Sequence, residues 1–113
     1  METLATVFAW LVVVLHLLFG YMESAGWSQM ARRFGYDKAQ TETTRSLALN
    51  QGMYNVGISC VLGWSLVAGH GPTTVAMLAY VVAMAVVGAL SVRWTIFLIQ
   101  GVPALIALAL HLL

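Results

Sequence analysis

The sequence predicts an all-α fold: a polytopic membrane protein with four transmembrane helices in an up-down bundle. Three observations predict it. Of 113 residues, 61% are hydrophobic and 8% charged, with a mean hydropathy of +0.89, whereas a soluble domain carries about 25% charged residues. Seven of the nine Asp, Glu, Lys and Arg residues crowd between Glu23 and Arg45, leaving long apolar runs elsewhere. Those runs are about twice the length of a barrel strand and do not alternate, so helices, which satisfy their own backbone, are the spanning form. The chain reads as one domain, residues 1–113.

The first span, residues 4–22, is long enough to cross roughly 30 Å of hydrocarbon. A cleaved leader would carry a basic start and a shorter apolar core. Here the start holds Glu2 and no base, so a retained helix is expected. The second span, 46–68, has its polar residues in its first half. Gly69-His70-Gly71-Pro72 makes a tight turn, because glycine and proline do not continue a helix cheaply. The third span is 74–92. Arg93 and Trp94 mark an interfacial turn, and 95–113 forms the fourth span. The first connection holds Arg32, Arg33, Lys38 and Arg45, and the third holds Arg93. The bias of basic residues to the cytoplasmic side places these connections there, in a bacterial cytoplasmic (inner) membrane, with both termini outside.

Polar side chains inside a membrane are costly and mark function or helix contact. His16, Gly20, Glu23 and Trp27 lie at offsets of four, seven and eleven, a narrow stripe on one helix face. On the second span, Asn50 and Tyr54 are one turn apart, as are Gln51 and Asn55, all within about 140° of arc. Gln100 sits five residues past the third turn, followed by Gly101 and Pro103. Proline lacks an N–H and clashes with the carbonyl four residues back, so a kink beside Gln100 is expected. Three spans thus place polar groups in one half of the bundle, which predicts a polar pocket there. The competing reading is structural: such residues often only bond neighbouring helices, at about 0.6 kcal/mol each, and Glu23 could pair with Arg32 or Arg33.

Other signals are weaker. Trp10, Trp64 and Trp94 read as belt or packing residues, and Gly57 and Gly63 as close-packing positions. Cys60 is alone, so no intrachain disulfide is available. His70 and His111 lie far along the chain from the level of His16, so no metal site is expected, and no cofactor. The net charge of +1 and the lack of a basic run exclude nucleic acid as an expected partner.

The pattern His16, Glu23 with Trp27, Asn50-Gln51-Gly52-x-Tyr54-Asn55, Gly88-Ala89 and Gln100-Gly101-x-Pro103-Ala104 resembles the small bacterial membrane proteins grouped as domain of unknown function 1304. The resemblance covers nearly the whole chain. It implies a four-helix membrane fold and no particular reaction. A looser similarity is to the small four-helix glutathione- and eicosanoid-linked membrane enzymes. Their second-helix acid is replaced here by Gln51 and Asn55, so only the architecture carries over.

The favoured functional reading is an acid/base enzyme, of isomerase or hydrolase type, acting on a lipophilic small molecule. Glu23, His16 and Tyr54 are the candidate catalytic groups. Asn50, Gln51, Asn55, Gln100 and Trp27 are candidate substrate contacts. A small proton-coupled transporter and a non-catalytic assembly partner are the alternatives. Four helices bury little surface alone, so a homo-oligomer is also an expectation.

Overall fold

The structure, a computed structural model, describes residues 2–113, almost all of them helical and none in a strand. Five α-helices follow one another: α1 (Glu2–Glu23), α2 (Trp27–Arg33), α3 (Lys38–Ala68), α4 (Gly71–Ser91) and α5 (Val102–Leu112). A π-helical turn, Phe97–Gly101, leads into α5. The all-α expectation holds, and α2 is an additional short helix inside the first connection.

The four long elements form a ring. α1 packs on α3 and α5, and α4 packs on the same two neighbours. The interior is built from small and branched side chains, among them Ala9, Val12, Leu62, Leu78, Val81 and Ala104. The buried positions of α3 (Ala48, Gly52, Asn55, Ser59, Leu62) recur at three and four residues, the spacing of one helical face. The outside is strongly apolar: Val14, Leu18, Leu47, Val67, Val87 and Leu90 are all exposed. By length and composition, α1 and α4 can each cross a membrane. The polar block from Asn50 to Asn55 holds α3 outside that class, and α5 is shorter.

Local chemistry sets the ends. α1 stops at Glu23; the Ser24 hydroxyl then donates to the Gly20 carbonyl at 2.6 Å, and Gly26 N–H to that of Tyr21 at 2.9 Å. The stripe read from sequence therefore breaks before Trp27, which opens α2 instead of continuing α1. α2 ends in a Schellman turn: Tyr36 N–H donates to Ala31 and Gly35 N–H to Arg32. Gly35 stands at φ +79°, where a side chain would be strained. α3 begins eight residues before the apolar run, because Asp37 and Gln40 form a reciprocal capping box. Its Asp37 side chain accepts from Gln40 N–H at 2.7 Å. Asp37→Ala should cost about 1 kcal/mol, read as a lower thermal midpoint in detergent, with the residues before Ser46 fraying first in hydrogen exchange.

Glycine placement departs from the sequence reading. An added Cβ at Gly57 would meet nothing, and one at Gly63 would make only ordinary contact with Trp10. The close approaches are elsewhere. A Cβ on Gly20 would lie 2.6 Å from Val56 Cγ2 and 3.0 Å from the Gly52 carbonyl oxygen; one on Gly52 would lie 3.0 Å from that of Gly20. α1 and α3 therefore cross at these two glycines, as small residues allow. On the far side, a Cβ on Gly101 would come within 2.7 Å of Phe97 and 3.0 Å of Ala85. The disturbance expected before Pro103 takes the form of the π-turn, in which Val102 N–H reaches back five residues to the Phe97 carbonyl. The wider turn accommodates the missing proline N–H.

Candidate functional site

At the end of the bundle where α1 stops, a cavity of about 480 Å³ opens, within the range of small-molecule sites. α1 contributes Phe19 and Glu23; α3 contributes Thr44, Gln51 and Asn55; the π-turn contributes Ile99 and Gln100. α2 covers it with Trp27 and Met30, and the turn after α2 adds Phe34 and Tyr36. Leu47, Val92 and Ile99 are at once cavity walls and exposed on the apolar outer surface, so the cavity has an apolar side opening.

Two polar pairs organise the site. Asn55, buried, donates its amide to Glu23 Oε1 at 2.5 Å. This bond crosses the Gly20–Gly52 contact, which brings the two helices close enough for it. No Lys or Arg lines the cavity, and Glu23 forms no ion pair among the described residues. The alternative partners considered for it, Arg32 and Arg33, lie elsewhere: Arg32 bonds the Ser28 carbonyl.

The second pair is deeper. His16 is fully buried. Its Nδ1 lies 2.8 Å from the Val12 carbonyl, which can only accept, so Nδ1 carries the proton. In the neutral ring Nε2 is then an acceptor, and the Gln100 amide donates to it at 2.9 Å. Both ring nitrogens are engaged, and His16 acts on the cavity through Gln100. Among the described residues, no side-chain oxygen or nitrogen is buried without a partner. The second oxygen of Glu23, the Gln100 carbonyl oxygen and the Asn55 carbonyl oxygen have no protein donor, so all three open onto space. Glu23, Asn55 and Gln100 thus present acceptor oxygens, while the Gln51 amide and the Tyr36 hydroxyl add donors to the wall.

The His16–Gln100 pair should show as coupling. Replacing His16 by Leu leaves the Gln100 amide unpaired, and Gln100→Leu does the same to His16. Each single variant should lose about 1 kcal/mol of stability. The double variant should lose less than their sum, with a coupling of about 0.6 kcal/mol, the average for such bonds in membranes, and no more than about 1.7 kcal/mol. Thermal denaturation of the four proteins checks it.

Trp27 is anchored away from the charge. Its indole N–H donates to the Thr41 carbonyl and the Thr44 hydroxyl at 3.3 and 3.2 Å, so only ring carbon remains for the cavity. Phe34 and Tyr36 pack about it with centroid separations of 6.0–6.3 Å. Outside, Arg45 clasps Glu42 at 2.9 Å and the Ser28 hydroxyl at 2.9 Å, tying α3 to α2. The Arg45 guanidinium holds the Glu42 carboxyl below its ordinary range, so this contact persists above the usual carboxylate pKa and is lost as pH falls. Fully exposed, it adds little.

The structure therefore brings Glu23, Gln51, Asn55, Gln100 and Trp27 to one cavity, with His16 behind Gln100. It does not bring Asn50 or Tyr54. Both lie on the exposed face of α3, Tyr54 at 68% exposure, and neither lines the cavity. The four-residue arc was too wide: only the Gln51–Asn55 edge faces in. Sequence reasoning missed Phe34, Tyr36 and Thr44. The available signal was Phe34-Gly35-Tyr36, two aromatic residues about a glycine in a charged connection. It also missed two helix contacts away from the cavity. Ser59 donates to the Val13 carbonyl at 2.7 Å, and Ser65 bonds Thr74 at 2.8 Å.

A helical bundle with an apolar exterior, two helices long enough to cross a membrane and a cavity holding one carboxyl among amides and aromatic rings is the class these observations define. The chain belongs to the family described as "protein of unknown function (DUF1304)", whose model matches residues 10–112. No curated protein and no solved structure matches it.

Proposed function

We propose that this chain is an integral membrane enzyme of four spans that performs acid–base chemistry on a lipophilic small molecule. The membrane reading is supported by the inverted packing. Alanines and hydroxyl side chains share the inside with Val and Leu while many large apolar side chains cover the outside, as helix association in lipid favours and a soluble surface does not. The basic residues about α2, with Arg93, support a cytoplasmic side for the cavity end.

The observation that carries the chemistry is Glu23: a carboxyl in a mainly apolar cavity, with an amide partner and no cation. Such a group can give or take a proton within reach of a bound molecule, while Asn55 orients it and Gln100 and Gln51 supply polar contacts. Isomerisation, hydration and epoxide opening all use this equipment. The side opening suits a substrate that arrives through the bilayer. A proton-coupled carrier would hold its coupling carboxylate midway along a span, whereas Glu23 is the last residue of α1, which favours the enzyme.

The test is conversion. Membranes containing the protein, incubated with isotopically labelled lipophiles, should yield a product that Glu23→Gln membranes do not. Identical products from both would refute the reading. Uptake into vesicles that depends on Glu23 without any conversion would establish the carrier instead.

A further inference from the structure

We infer that the cavity selects amphiphiles with a protonated amine head, seated between Glu23 and the three aromatic side chains of the covering segment. This rests on the reading of the cavity as a ligand site and adds the chemistry of the ligand. Three independent features point to it.

The first is the hydrogen-bond inventory. The Asn55 amide faces Glu23 and the Gln100 amide faces His16. What these residues leave to a ligand is oxygen: the free Glu23 oxygen, the Asn55 carbonyl and the Gln100 carbonyl. An ammonium carries three donors and no acceptor, the complement of that set. At these three residues a carboxylate or phosphate head would face acceptors, the donors of the wall being the Gln51 amide and the Tyr36 hydroxyl elsewhere on it.

The second is charge. The cavity contains one carboxyl and no Lys or Arg. The nearest basic side chain on α3, Arg45, is engaged by Glu42 and Ser28. A cationic head supplies the counter-charge that the fold withholds from Glu23.

The third is the wall. Trp27, Phe34 and Tyr36 form one cluster on the cavity. The Trp27 N–H is already bonded to α3. Aromatic rings beside a desolvated cation attract it. Leu47, Val92 and Ile99 then guide an alkyl tail out through the apolar opening into the bilayer.

The experiment uses the full chain in lipid nanodiscs with Trp10, Trp64 and Trp94 each replaced by Phe, so that Trp27 reports alone. Three probes of equal chain length are titrated: dodecylamine, dodecanol and dodecanoate. Dodecylamine should change Trp27 emission saturably, at a concentration at least ten-fold lower than either other probe. Glu23→Gln should remove that preference by weakening dodecylamine at least ten-fold, with dodecanol unchanged. Equal saturable binding of amine and alcohol, or tighter binding of dodecanoate, would overturn the amine inference while leaving the cavity a ligand site. Absence of any saturable response would overturn both. Dodecylamine preference that survives Glu23→Gln would place the cation elsewhere and refute the inference.

Discussion

Gly52→Leu should destabilise the protein strongly, lowering the thermal midpoint by roughly 10 °C or more. A Cβ at this position would stand 3.0 Å from the Gly20 carbonyl oxygen and 3.1 Å from Glu23 Cβ. The first of these is backbone and cannot swing aside. Overpacking typically costs about 1–3 kcal/mol, and the upper end applies because relief requires α1 and α3 to move apart along their whole contact. That separation also breaks the Glu23–Asn55 bond, so ligand binding and stability should fall together. Gly57→Leu is the matched control. An added Cβ there meets open space, and its midpoint should change little. Circular dichroism melts of both variants in one detergent decide it; equal midpoints would mean that the crossing is looser than the glycines require.

The helices were legible because each apolar run is long, and the backbone in such a run has no partner but itself. Their starts were not. Hydropathy marks where a chain is apolar, whereas α3 begins at Asp37 because a capping box satisfies its first N–H groups. The same limit hid α2, whose seven residues are polar outside and fold over the cavity through Trp27 and Ala31. Trp27 reaches the cavity from α2 and not as a continuation of the α1 stripe, since α1 ends at Glu23. The candidate site was legible where a side chain's partner lies on another helix at the same level, as with Glu23–Asn55 and His16–Gln100. It was not legible at Asn50 and Tyr54, because an arc of polar residues does not say which of its edges faces inward. The glycines show the same gap. Gly57 and Gly52 look alike in the sequence, and only the position of α1 distinguishes them.

Glu23→Gln should abolish turnover of the natural substrate by about 10²–10⁴-fold, the contribution of a positioned acid or base, with stability nearly unchanged. The amide keeps the shape of the side chain and still offers Asn55 an oxygen, so the α1–α3 crossing persists. Only the exchangeable proton is lost. Two further variants separate chemistry from scaffolding. Asn55→Leu removes the amide that bonds the carboxyl and leaves an acid that is present but not oriented; turnover should fall while some activity remains. Tyr54→Phe removes a hydroxyl on the exposed face of α3, so turnover should stay within about two-fold of the wild type. A Tyr54→Phe loss comparable to that of Glu23→Gln would mean that α3 turns a different face to the substrate than the one that holds Asn55. Glu23→Asp sharpens the same point. It restores a carboxyl one methylene shorter, which a purely electrostatic role would tolerate and a proton transfer, dependent on reach, would not. Recovery of less than about a tenth of the activity by Glu23→Asp, with amine binding retained, would assign the carboxyl to proton transfer.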